Sequence, residues 1–163
     1  MTQVHLHLLI THLPVFGSIL GALVLAYGIW TKSNQTKNAA YFMFVISAIG
    51  AFIAYLTGEG AEEATEKMIG VSGSMIKLHE ESAMYSLISL VALGASSIFA
   101  LVETRLKTPF IKSTAVLILL FSLISFGLVA RTGYFGGQIR HTEISAGTDQ
   151  NNAGGEAGEK DKD

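Results

Sequence analysis

Four stretches of about twenty mostly apolar residues leave this chain few folds to choose from. They are Leu8–Trp30, Ala39–Thr57, Ser82–Val102 and Phe110–Ala130. Each is close to the ~20 residues a helix needs to cross about 30 Å of hydrocarbon. In lipid such runs must be helical, because a backbone without water has to satisfy its own hydrogen bonds. Composition agrees: only 15% of the 163 residues are charged, against about a quarter in a soluble domain. The expected fold is therefore all-α, a four-helix transmembrane bundle over residues 1–141 with a short disordered tail. The tail, from Thr142 on, is polar, rich in glycine and without apolar anchors.

The first run does not read as a cleaved signal peptide, since Met1–Val4 carries no positive charge and the apolar stretch is long. Two short loops are basic. One holds Lys32 and Lys37; the other holds Arg105 and Lys107, with Lys112 just beyond. The connection 58–81 is acidic, with Glu59, Glu62, Glu63, Glu66, Glu80 and Glu81 against Lys67 and Lys77, and Ala61–Met68 within it has helical composition. Excess Lys and Arg on the cytoplasmic side predicts a multi-pass membrane protein with both termini outside. The lipid bilayer is the first expected partner, and nucleic acid is not one. There are no cysteines, so disulfides, thiolate zinc sites, cysteine-held iron–sulfur clusters and c-type haem attachment are excluded.

Four crossings put all five histidines at one face of the membrane. His5, His7 and His12 open the first span, His79 precedes the third and His141 follows the fourth. His5 and His12 share a helix face with Leu8, Val15, Phe16 and Ile19, with His12 about 10 Å deeper. His7 points instead toward the side of Gly17, Gly21 and Gly28, and Pro14 can kink this helix. His12 is the first candidate ligand, because a titratable side chain inside an apolar run is costly and suggests function. His79 is expected at comparable depth. One imidazole from each of two helices is the plan of a membrane b-type haem site, with His5 and His141 as candidates for a second haem or an alternative partner. Arg131, Arg140 and Lys77 lie at the same face to pair with haem propionates. Small residues such as Gly17, Gly21, Gly94 and Gly127 leave room between helices.

Plainer readings stand beside these. Gly17 and Gly21 form a GxxxG packing pattern, His5 and His7 can be wet residues at a helix start, and His141 can belong to the tail. The acidic connection supports a second class of site, in which Glu59, Glu63, Glu66 or Glu80 joins His5, His7, His12, His79 or His141 around non-haem iron, manganese or zinc. The ExxH pairing of di-iron bundles is absent. Met68, Met75 and Met84 keep copper open. A carboxylate can also orient a ligating imidazole from behind. Arg131, Tyr134 and Gln138 follow one helical face, and the Gly136–Gly137 pair permits a close backbone approach or a break, the latter a plain helix end or a turn that folds His141 back over the cluster.

On Thr11-His12-Leu13-Pro14, His79 and Gly136-Gly137 followed by His141, the chain resembles a family of predicted four-helix bacterial membrane proteins whose activity is uncharacterised. The likeness runs over roughly Val4–His141. It implies four helices, histidines at one face and a haem or redox role. The extra His5 and His7 and the glutamate-rich connection depart from it and leave the cofactor number open.

The expected function is a b-type cytochrome-like electron carrier rather than a stand-alone enzyme, its redox chemistry belonging to the haem. Quinone and a periplasmic redox protein or a larger respiratory complex are the expected partners. A metal-binding or metal-transporting protein and a structural subunit are the alternatives.

Overall fold

The computed structural model describes residues 3–66 and 73–140, without the side chains of 64–66 and 140. Every element in it is helical: α1 (Gln3–Ile10), α2 (His12–Trp30), α3 (Asn34–Glu66), α4 (Gly73–Leu106) and α5 (Ile111–Arg140). α1 and α2 make one span of 28 residues. The step between them is small. Thr11 keeps helical angles, φ −61° and ψ −21°, and its N–H still donates to the His7 carbonyl at 3.0 Å. Pro14, in the first turn of α2, has no N–H to offer Ile10, which accounts for a break in the ladder without a turn in the chain. With α3, α4 and α5 there are four helices long and apolar enough to cross a membrane.

Tight turns close two hairpins at the same end of the bundle. After α2 the chain reverses through Lys32, held at φ 57°, with Lys32 N–H donating to Ile29 and Ser33 N–H to Gly28. After α4 it does so through Lys107 at φ 54°, with Thr108 N–H donating to Glu103. Both are Schellman-type stops carrying lysine where glycine is usual. Ser33 then caps α3 by accepting the Thr36 N–H at 3.2 Å. α2 packs against α3 and α5, and α4 packs against the same two helices, so α2 and α4 are diagonal. α1 lies along the far end of α3.

The packing is inverted relative to a soluble bundle. Leu20, Leu23, Phe42, Ile46, Phe52, Ile88, Phe99, Leu117 and Ile124 face outward. Inside, beside Leu25, Tyr41, Phe44, Leu90 and Leu93, lie eight serines: Ser18, Ser47, Ser82, Ser86, Ser89, Ser97, Ser122 and Ser125. Helices in lipid gain nothing by hiding leucine from a solvent that is itself apolar, so small and hydroxylic residues make the contacts. The fold is a four-helix bundle with a lipid-facing apolar exterior.

The acidic connection is shorter than the sequence suggests. α3 continues to Glu66 and α4 begins at Gly73, which makes most of 58–81 helical. Ala61, Glu62, Glu63 and Ala64 are strong helix formers, and they carry α3 beyond its apolar segment. Of the two uses open to Gly136–Gly137, α5 makes no break, running on to Arg140, and Gly136 gives the close approach, to the His79 ring. His141 and the tail lie outside the described residues.

Candidate ligand site at the histidine end

Two histidines turn into the bundle at the end opposite the tight turns. His7 on α1 sets its Nδ1 2.9 Å from the Ala54 carbonyl and 3.3 Å from the Thr57 hydroxyl, both on α3. A carbonyl only accepts, so Nδ1 carries the proton and Nε2 of the neutral ring keeps its lone pair. The Thr57 hydroxyl donates to Ile53 or Ala54, which leaves its oxygen free to accept from His7 as well. His79 on α4 makes the matching bond to α5, Nδ1 to the Thr132 carbonyl at 3.0 Å. The same tautomer follows. The His79 ring lies within electrostatic reach of His7.

The two environments repeat. Four residues beyond the accepting carbonyl stands a glycine against the ring: Gly58 beside His7 and Gly136 beside His79. A Cβ on Gly58 would be 3.7 Å from the His7 ring, and one on Gly136 would be 3.1 Å from the His79 ring. Seven residues before each carbonyl stands a buried serine, Ser47 and Ser125. It meets the residue ten positions after the histidine, Gly17 in one hairpin and Ser89 in the other. The bundle is thus built from two similar hairpins, each presenting one imidazole to the interior.

His12 is placed elsewhere. Its ring is exposed, stacked on Phe16 at 6.1 Å and 15°, with Nδ1 2.8 Å from the Leu8 carbonyl of its own helix. The structure therefore brings His7, not His12, toward His79. The reason lies in the helix faces. The buried stripe of α2 is Pro14, Ser18, Gly21, Leu25 and Gly28, and His7 continues it one heptad earlier. His12 belongs to the side of Leu8 and Phe16, which faces lipid.

His5 is exposed, as are Lys77, Glu59, Glu63 and Glu80. Glu66 ends α3, and its side chain is not described. Among the described residues no three His, Asp or Glu side chains gather as metal ligands. Arg131 is exposed, its guanidinium 5.3 Å from the Phe135 ring centre. Arg140 closes α5, and its side chain is not described. Gln138 is buried while Arg131 and Tyr134 are not, so the face expected of these three is split.

Thr132 is a site residue that sequence reasoning passed over. Its carbonyl holds His79, and its hydroxyl meets Ser82 at 2.9 Å and Ser86 at 2.8 Å. One turn deeper, Ser89 and Ser125 join at 2.7 Å. The signal was present in α4, where His79, Ser82, Ser86, Ser89, Leu93, Ser97, Ala100 and Glu103 recur at helical spacing. Comparison with known protein families, with curated proteins and with solved structures gives no match.

Proposed function

We propose that this protein is a membrane b-type cytochrome-like electron carrier in which His7 and His79 ligate haem. The observation that carries this reading is the pair of inward imidazoles on diagonal helices, each with Nδ1 tied to a backbone carbonyl. A ligating histidine is typically held this way, since the bond behind it fixes the tautomer, aims Nε2 and raises its basicity. Bound haem would supply a one-electron iron couple. The chain's own part is to hold two neutral imidazoles, exclude lipid and provide a cation at the face. Arg131 is the described residue suited to a propionate. The small residues Gly58, Gly136 and Ala54 beside the rings are the kind that leave space for a flat ligand. The resemblance to four-helix proteins with histidines at one face points the same way, with that face outward in the bacterial inner membrane and quinone or a periplasmic redox protein as the exchange partner.

The test is the visible spectrum of the dithionite-reduced protein, purified in detergent after expression with ample haem. A Soret band with b-type α and β bands is expected. His7→Ala and His79→Ala should each abolish or shift them, and His12→Ala should leave them unchanged. A colourless protein sinks the haem reading. A spectrum lost in His12→Ala but kept in His7→Ala sinks the choice of ligands.

A further inference from the structure

The inward stripe of α4 begins at His79 and ends, at the opposite end of the bundle, on Glu103. That carboxylate is only 6% exposed. Its Oε1 accepts from the Thr108 hydroxyl at 3.3 Å, and the Thr108 N–H anchors to the Glu103 carbonyl. Its Oε2 is buried with no hydrogen-bond partner among the described residues. α3, which packs on α4, carries a second buried oxygen in the same condition, Oδ1 of Asn38. Tyr41, three residues on along α3 and 1% exposed, lies within electrostatic reach of Glu103. Positions three apart on a helix share a face, so Asn38 and Tyr41 look the same way.

Orphaned buried acceptors are costly, because each has given up water and received no donor in return. The oxygens are carboxylate, amide, hydroxyl and phenol, a set that suits a hard cation. Charge fixes its valence. Glu103 brings one negative charge, while buried Lys37 and exposed Lys112 put positive charge at the same end. Lys37 packs its stem against α2, its Cγ 3.0 Å from where a Cβ on Gly28 would stand. A divalent ion would add a charge that no anion there answers.

We propose that Glu103 and Asn38, with the oxygens of Thr108 and Tyr41, bind a small monovalent cation such as sodium between α3 and α4. The site is separate from the histidine end and does not depend on haem. Bound there, the ion ties the last turn of α4 to the first turns of α3, the two helices that link the hairpins.

The experiment is thermal unfolding of the full chain in detergent, in sodium, potassium and choline chloride at equal ionic strength. Sodium should raise the melting temperature along a saturable curve that choline does not reproduce, because a ligand that binds only the folded state stabilises it by mass action. Glu103→Gln keeps the shape and removes the charge. It should flatten the sodium response. Asn38→Ala keeps the carboxylate and should move the midpoint of the sodium curve to higher concentration, a readout available even if Glu103→Gln does not fold. Identical melting in the three salts overturns the proposal. So does a full sodium response in Glu103→Gln, or an unmoved midpoint in Asn38→Ala.

Discussion

In the first hairpin α2 meets α3 through glycines, and in the second α4 meets α5 through hydroxyls. The levels correspond. Gly17 faces Ser47 ten residues below His7, where Ser89 faces Ser125 ten residues below His79. A Cβ on Gly21 would come within 2.6 Å of the Phe44 ring, and one on Gly28 within 2.9 Å of the Lys37 nitrogen. In the second hairpin Gly136 is tight only against the His79 ring, at 3.1 Å, and Gly127, Gly133 and Gly137 have nothing within 4 Å of an added Cβ. Gly94 is tight, but against Ala48 of α3. Helices in lipid associate through close packing or through interhelical hydrogen bonds. Each hairpin relies on one of these and presents its histidine in the same way. The first hairpin should therefore be intolerant of added atoms and the second intolerant of lost hydroxyls.

The largest expected effect comes from overfilling the first contact. Gly21→Leu should cost about 3 kcal/mol, the upper part of the usual range for overpacking, because the new side chain starts where the fully buried Phe44 ring lies. Gly127→Leu at an open position of the second hairpin should change stability by less than about 0.5 kcal/mol. Reversible unfolding in mixed micelles measures both. Equal losses in the two variants would end the distinction between the hairpins.

The same contrast explains what the sequence made legible. The four spans follow from apolar length alone, and the four described histidines, His5, His7, His12 and His79, lie at one end of the bundle because spans one and three start there. The helical composition of Ala61–Met68 pointed to a helix within the acidic connection, but not to its being continuous with the second span, nor to α4 starting at Gly73, since glutamates that mark a solvated connection also favour a helix. The choice between His7 and His12 turned on a rule of packing. Depth in an apolar run pointed to His12, yet in lipid the large apolar face is the outer one and the glycine face the inner. The wheel that put His7 with Gly21 and Gly28 already placed it on the inward side of the helix once that rule is applied. The bonds to Ala54 and Thr132 were not legible, because any helical residue offers a carbonyl and only the docking of α1 on α3 and α4 on α5 selects these two.

A smaller effect tests the hydroxyl side. Thr132→Val keeps shape and the carbonyl that holds His79 but strips the hydroxyl shared by Ser82 and Ser86. A loss of about 1 kcal/mol is expected, in line with interhelical hydrogen bonds in membranes. The imidazole environment of His79 should persist by NMR. Ser47→Ala in the first hairpin should cost less, since that hydroxyl bonds to Met43 of its own helix. A larger loss in Ser47→Ala than in Thr132→Val would reverse the assignment of hydroxyl dependence.

The smallest effect probes where the two hairpins are alike. Lys32 and Lys107 both occupy the left-handed region at the stop of an outgoing helix. A non-glycine residue there is penalised by roughly 1–2 kcal/mol. Replacement by glycine removes that penalty but frees the unfolded chain, which costs roughly 0.5–1 kcal/mol. It also removes a positive charge from a helix C-terminus, where a cation contributes about 0.3–1 kcal/mol. The terms nearly cancel, so Lys32→Gly and Lys107→Gly should each shift stability by no more than about 0.5 kcal/mol. The informative quantity is the difference between them. The backbone of the two turns is shared, but the Lys107 turn also presents Thr108 to Glu103. If the two variants agree in choline and diverge in sodium, with Lys107→Gly the more affected, the turns are equivalent as turns and differ only in the carboxylate that one of them serves. Equal shifts in both salts would instead make the two turns interchangeable and confine the asymmetry of the hairpins to their glycine and hydroxyl contacts.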